Sequence, residues 1–343
     1  MVNELRRRPR TVAVALLLVA AMVWGTTFVV VKAAIVHTPV LDFLAWRFLL
    51  AGMLLAALRP RALLRLGGRG VAQGLALGAV LAGGYMLQTY GLRSTPAAVS
   101  GFLTGLQVVF TPLMGWLLFR HRPGARTWGA AVVATSGLAV LSLRGAQFGV
   151  GETLTVASAA LFAVQIVVLG RWASARDAYG LATVQLLTVG VVALVGAAPG
   201  GAALPSSLGT WAAVAITDVG ATAFAFVVQS WAQSHVSATA TSVVFTTEPL
   251  FAALFAWIAG EQLGWAVLAG GALVIGAMFV LGVERPGAPG PPEDSPAIPE
   301  VLGGTAIAGA TAPGAEPEMA VAPPMGQPAE AVATRVSIDT SRP

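Results

Sequence analysis

The amino-acid sequence predicts an all-α integral membrane protein, with ten transmembrane helices arranged as two inverted five-helix repeats. Three observations carry that prediction. Of 343 residues, 56% are hydrophobic and 10% charged, against about 25% charged in a soluble domain. Mean hydropathy is +0.79, and long apolar runs follow one another; about 20 apolar helical residues span a bilayer core. The second half of the chain also repeats the first at a nearly constant offset.

The ten apolar spans run at about 11–35, 41–58, 71–92, 97–119, 127–143, 152–172, 179–198, 208–233, 236–259 and 264–283. Several are interrupted by Gly or Pro, which membrane helices tolerate. The segments are a basic N-terminus (1–10), a first five-helix unit (11–143), a second (152–283) and a tail (284–343). The tail begins ERPGAPGPPEDSPAIPE and stays rich in Pro, Ala, Gly and Glu. Such a composition cannot bury a core, so a disordered cytoplasmic tail is expected. MVNELRRRPR resembles the start of a signal peptide, but the apolar run after it continues to Lys32 without a clear cleavage site. It reads as the first permanent helix.

Net charge is +5, but it is unevenly placed. Before residue 284 lie 17 of the 20 Lys/Arg and 7 of the 15 Asp/Glu. Arg6, Arg7, Arg8, Arg10, Arg59, Arg61, Arg65, Arg69, Arg120, Arg122, Arg126, Arg171 and Arg176 fall on one side of the ten-span scheme; Arg93 and Arg144 fall on the other. Lys and Arg collect in cytoplasmic loops. Both termini are therefore expected in the cytoplasm, in a multi-pass plasma (inner) membrane protein. The Lys-poor, Ala/Gly/Arg-rich composition is associated with a bacterial source. No basic stripe lies on a soluble domain, so nucleic acid is not an expected partner.

Setting Pro112 against Pro249 aligns the halves at a shift of 137. Between Val99 and Leu117, six of nineteen positions then match: Val99/Val236, Ser100/Ser237, Thr104/Thr241, Pro112/Pro249, Leu113/Leu250 and Leu117/Leu254. Within one residue of the same shift, Trp24 falls on Phe162, Arg47 on Gln185, Gly52 on Gly190 and Gly83 on Gly220. A repeat with five crossings is odd, so its second copy enters the membrane from the other side. Inverted repeats recur in secondary transporters, with the substrate site near the midplane between the halves.

WGTTFVVVK (24–32), FLAWRFLLA (43–51), YMLQTYGL (85–92), GFLTGLQVVFTPL (101–113) and TEPLFAALFAWIAGEQL (247–263) resemble the drug/metabolite transporter superfamily in its EamA-like branch. The resemblance covers residues 11 to 283. It implies ten helices in two inverted halves, and efflux or uptake of small metabolites or drugs, amino acids among them. The first half departs from the pattern: FRHRPGAR (119–126) stands where the second half has AWIAGEQL (256–263).

The candidate residues are polar groups inside the spans. On span nine, Ser237, Thr241 and Glu248 share one helix face; on span four, Ser100, Thr104 and Thr111 repeat it. Helix packing and cavity lining both remain open for these hydroxyls. An acid at a helix centre costs about 2.5–3.5 kcal/mol to insert. Glu248 therefore reads either as a proton- or substrate-coupling carboxylate or as a structural brace. Pro249, and Pro112 in the other half, are expected to kink their helices. Asp218, within span eight, is a second proton-coupling candidate or the partner of a base. Arg47 reads as a substrate contact or as a structural partner for Asp218, Glu248 or helix carbonyls. Trp24, Tyr85, Gln88, Tyr90, Gln165 and Gln185 are further cavity candidates. Lys32 is expected to snorkel at a helix end, and Glu261 to sit at the surface.

With no Cys and three His, no disulfide, HExxH pair or CxxC site is available. No cofactor, metal or catalytic residue is expected, and no ATPase domain occurs. A carrier working by alternating access, more an exporter than an importer, heads the readings. A channel or a flippase of lipid-linked molecules is the alternative, and a membrane-embedded enzyme stands below both. The expected partners are a small-molecule substrate and the lipid bilayer, with protons and a homodimer left open.

Overall fold

Inside a bilayer a backbone has no water to bond, so long apolar segments must close their own hydrogen bonds as helices. The computed structural model describes residues 2–120, 124–142, 149–201, 203–204 and 208–282. Side chains are described from residue 9 onward, except those of 126, 127, 135, 138, 139, 141, 142, 218, 219, 246 and 278–282. The tail expected at 284–343 lies outside the described residues, as do Arg122, Arg144 and the side chain of Asp218.

The first half comprises α1 (Val2–Ala34), α2 (Val40–Leu58), α3 (Pro60–Leu92), α4 (Ala97–Gly105), α5 (Gln107–Phe119) and α6 (Ala125–Ser142). The second comprises α7 (Val150–Trp172), α8 (Ala178–Ala197), α9 (Leu208–Ile216), α10 (Ala225–Ala232), α11 (Ala238–Val244), α12 (Glu248–Ile258) and α13 (Trp265–Gly282). No strand occurs among the described residues. Eight helical stretches there are long and apolar enough to cross a membrane; Trp265–Ala277 is a shorter apolar helix.

Three expected spans are not continuous helices. Span four breaks between α4 and α5 at Leu106. Span eight passes through a wide π-type segment, Thr217–Phe224, between α9 and α10. Span nine tightens into a 3-10 turn, Phe245–Thr247, between α11 and α12. This last break corrects the role expected of Pro249. It does not kink a continuous helix but stands in the first turn of α12, where the N–H it lacks would have had no helical acceptor. Pro112 does lie inside α5, six residues after the break in its own half.

The halves interlock. Helix α2 packs on α8, α6 on α13, α1 on α12 and α5 on α7; α3 lies against α7 and α1 against α10. Exchanging the halves maps α1–α12 onto α5–α7, and α3–α7 onto α1–α10. The α2–α8 contact has an exact internal check. A Cβ on Gly52 would lie 2.7 Å from Leu187 Cγ, and one on Gly190 would lie 2.7 Å from Leu49 Cγ and from Leu49 N. Leu187 and Gly190 are 138 residues beyond Leu49 and Gly52. As α2 advances from 49 to 52, its partner on α8 retreats from 190 to 187, so the equivalent helices cross antiparallel.

Adding a methyl to such a contact overpacks it, typically at about 1–3 kcal/mol. Gly52→Ala and Gly190→Ala should each lower the thermal unfolding midpoint of the detergent-purified protein. Gly115→Ala, where a Cβ meets nothing within 4 Å, should leave it unchanged.

Candidate functional site

The interrupted spans converge on one small cavity, lined from α1, α3, α4, α5, α7, α10 and the α11–α12 break. Its lining is paired across the repeat. From α1 come Trp24, Thr27 and Phe28; from α7 come Phe162, Gln165 and Ile166, each 138 residues further on. Gln88 and Phe226 form another such pair, as do Gln107 and Phe245. The cavity thus straddles the line about which the halves are related.

Glu248 lies in this lining, 5% exposed. It is the first residue of α12 rather than a mid-helix acid, so its carboxylate stands at the positive end of a helix dipole. Gln107 Nε2 donates to its Oε2 at 3.3 Å. Helix α1 comes close to the same backbone: a Cβ on Gly25 would lie 2.5 Å from Phe251 Cβ and 3.0 Å from the Glu248 carbonyl oxygen. Beside it, Gln88 Nε2 donates to Thr104 Oγ1 at 3.1 Å.

Rings form much of the remaining wall. Trp24 meets Phe245 edge-on with centroids 5.1 Å apart and Phe226 at 5.5 Å. Tyr85 meets Phe162 at 5.2 Å and Phe48 at 4.6 Å. The indole N–H of Trp24 donates to the Ala221 carbonyl at 2.6 Å. That carbonyl lies in the π-type segment, a widened turn of a kind frequent at functional sites.

A chain of amides runs from the wall, at Gln165 and Gln229, into the protein behind it. Gln229 Nε2 donates to both Gln165 Oε1 and Gln233 Oε1 at 3.1 Å. Gln165 Nε2 donates to Gln185 Oε1 at 3.1 Å, and Gln185 Nε2 to the Leu181 carbonyl at 3.2 Å. Gln233 Nε2 donates to the Ile166 carbonyl at 2.8 Å.

The structure therefore brings Trp24, Tyr85, Gln88, Thr104, Gln165 and Glu248 together, and adds Thr27, Gln107 and Gln229, which sequence reasoning passed over. The same signal marks the two glutamines as marked the others: an amide in an apolar span. Arg47 is 2% exposed but does not line the cavity. Its Nε donates to Thr222 Oγ1 at 2.8 Å, and its guanidinium lies 5.4 Å from the Tyr85 ring centroid, behind the wall. Gln185 supports Gln165 from the second layer. Thr111 donates to the Gln107 carbonyl at 2.7 Å within its own helix. Ser100 and Thr241 are buried away from the cavity, without hydrogen-bond partners among the described residues. Ser237 departs from the expected stripe: it is the exposed N-cap of α11, its side chain accepting from Ala240 N. Tyr90 is exposed.

Lys32 and Glu261 also depart from expectation. Glu261 accepts from the backbone N–H of Ala97 at 2.8 Å and of Ala98 at 3.2 Å, capping α4 from the far end of α12. Lys32 Nζ donates to the Thr95 carbonyl at 2.8 Å and lies 3.5 Å from Glu261. Together they tie α1, α4 and α12 at one end of the bundle.

The family model of the EamA-like transporter family matches residues 11–143 and 149–283, once in each half. The chain belongs to this family. An uncharacterized transporter of Archaeoglobus fulgidus is 27% identical over 239 residues, 70% of this chain and 75% of that one. The uncharacterized transporter YvbV of Bacillus subtilis is 27% identical over 198 residues, 56% of this chain and 64% of that one. A crystal structure of a protein superposes with a TM-score of 0.60 at 19% identity, covering 79% of this chain and 96% of that one; at that identity it speaks to the fold alone. With its apolar helices, the chain is a multi-pass membrane transporter of this family, and its relatives weigh against an enzyme.

Removing Gln165 would strand a donor on Gln229 and an acceptor on Gln185, and an unsatisfied buried group costs about 1–3 kcal/mol. Gln165→Leu should lower the thermal midpoint measurably, and more than Gln88→Leu, which strands a single hydroxyl.

Proposed function

We propose that the chain is a secondary transporter that exports small organic metabolites or drugs across a bacterial plasma membrane by alternating access, without ATP hydrolysis. In this reading ten crossings form two inverted five-helix halves with both termini cytoplasmic. The central cavity holds the substrate. The observation that carries the reading is the paired lining: equivalent residues of α1 and α7 line one cavity. The antiparallel crossing of α2 and α8 supports the inversion. Cavities between inverted halves, built on broken helices, are where such carriers bind.

Alternating access requires a closure at each end that can release. The Glu261 cap on α4, with Lys32 beside it, is a closure of this kind. On the proposed topology it faces outward. Its release would open the cavity there.

Reconstituted protein should show saturable, counterflow-competent flux; flux that never saturates and shows no exchange would indicate a channel. Trp24→Ala should cut exchange at least tenfold, while Trp116→Ala, exposed on α5, should not. Because the chain has no Cys, a single Thr27→Cys reports access to the cavity. In that background Glu261→Gln should speed labelling by a membrane-impermeant thiol reagent from the outer face several-fold. Labelling equal to that of Thr27→Cys alone would remove the cap as a gate.

A further inference from the structure

The chemistry of the cavity narrows what it can hold. No Lys, Arg or His is among its described lining residues, and Glu248 is its one ionisable carboxyl. Glu248 has a neutral amide, Gln107, as its hydrogen-bond partner and forms no ion pair among the described residues. A buried carboxyl in such a setting calls for a positive partner or a proton.

The amides and the indole of the wall are engaged with protein partners. Trp24, Gln88, Gln107, Gln165 and Gln229 all direct N–H groups at protein acceptors. Both amide hydrogens of Gln229 are used, by Gln165 and Gln233. That fixes the orientation of the amide and leaves its carbonyl oxygen. This oxygen is buried and accepts nothing among the described residues, although Gln229 lines the cavity. The wall therefore holds a carboxyl and, sealed within it, an unfilled amide carbonyl.

Aromatic faces complete the setting. Trp24, Phe28, Tyr85, Phe162, Phe226 and Phe245 all contribute to the wall. A ring quadrupole attracts a cation within about 6 Å of its centroid, most strongly when both are desolvated. An ammonium group supplies donors and no acceptor, which suits the Glu248 carboxyl. An organic anion would meet Glu248 with no basic side chain in the lining to offset the repulsion.

We propose that the ligand of this cavity is an organic ammonium ion carrying an apolar or aromatic body. Its nitrogen is held by Glu248, and its body lies among the rings. The assignment rests on the transport reading of the same cavity, and deepens it from small organic solutes to protonated or quaternary amines.

Three probes of one shape test it: 2-phenylethylammonium, the neutral 2-phenylethanol and the anionic 3-phenylpropanoate. They are titrated calorimetrically into the purified full-length chain at neutral pH. The ammonium should bind saturably, with a Kd at least tenfold below that of either analogue. Glu248→Gln, which keeps an acceptor for Gln107, should weaken ammonium binding at least tenfold and leave the alcohol unchanged. Equal binding of all three, tighter binding of the propanoate, or ammonium binding unaffected by Glu248→Gln would each overturn the proposal. If Glu248→Gln does not fold, the ranking of the three probes on the unaltered protein still decides. Self-exchange of labelled probes in proteoliposomes separates the two readings. Ammonium binding without exchange upholds the ligand class and defeats transport. Exchange of the propanoate in preference to the ammonium upholds transport and defeats the class.

Discussion

The constraint that joins the two halves is the crossing of α2 and α8, where Gly52 and Gly190 each admit a leucine of the other helix. Lipid tails give apolar helices little reason to associate, so small residues that let backbones approach are a main source of packing energy. Here the contact is made twice, once in each direction. Such a reciprocal contact lies on the line that relates the two halves. The other cross-half contacts follow in mirrored pairs, α1 on α12 with α5 on α7, and α3 on α7 with α1 on α10. The cavity is lined by equivalent residues of α1 and α7.

The cavity also explains why helices can break at this depth. Irregular backbone is tolerated inside a membrane only where protein or a cavity satisfies the freed groups. At the π-type segment, Thr222 Oγ1 donates to the Thr217 carbonyl and Trp24 Nε1 to the Ala221 carbonyl. In α5, Thr111 Oγ1 donates to the Gln107 carbonyl. The Ser/Thr and indole groups that stand out in the sequence as polar anomalies are thus divided between two tasks. Some line the cavity; others stitch the backbone that bends around it.

This division limits what the sequence alone could reveal. The apolar spans, the repeat and the family resemblance follow from composition and spacing, because lipid solvation acts on whole segments. The lining was half legible. Trp24, Gln88, Gln165 and Glu248 stand out as polar or amphipathic groups in apolar runs, and the cavity includes them. Ser237 and Thr241 did not follow, because assigning a common face assumes one unbroken helix, and the 3-10 turn at Phe245–Thr247 rotates what precedes it. Arg47 carries the most expensive charge in the first half, yet it lies behind Tyr85. Burial cost reveals that a charge needs company but not on which side of a wall the company stands. Glu261 was misjudged for a related reason: its partners, the N–H groups of Ala97 and Ala98, are backbone and leave no trace in residue types.

Two inverted halves of identical sequence would give the inward- and outward-open states equal energy. The residues equivalent to Lys32 and Glu261 are Gly170 and Gly124, so the tie across α1, α4 and α12 has no counterpart in kind at the other end. There Arg171 lies 4.7 Å from the Phe119 ring centroid instead. The Lys32–Glu261 pair, at 3.5 Å and partly exposed, contributes at most about 1 kcal/mol. The two backbone N–H groups bound by the Glu261 carboxylate matter more, since hydrogen bonds to a charged group contribute about 1.5–3 kcal/mol each. On the transport reading, a bias of that size holds the outer end shut in nearly all unloaded molecules. A ligand must then favour the open state by a comparable differential affinity to reverse it. The glutamate that caps α4 therefore sets how strongly substrate must bind to cross. The departure of FRHRPGAR from AWIAGEQL is where the symmetry of the duplicated frame gives way to two unlike ends.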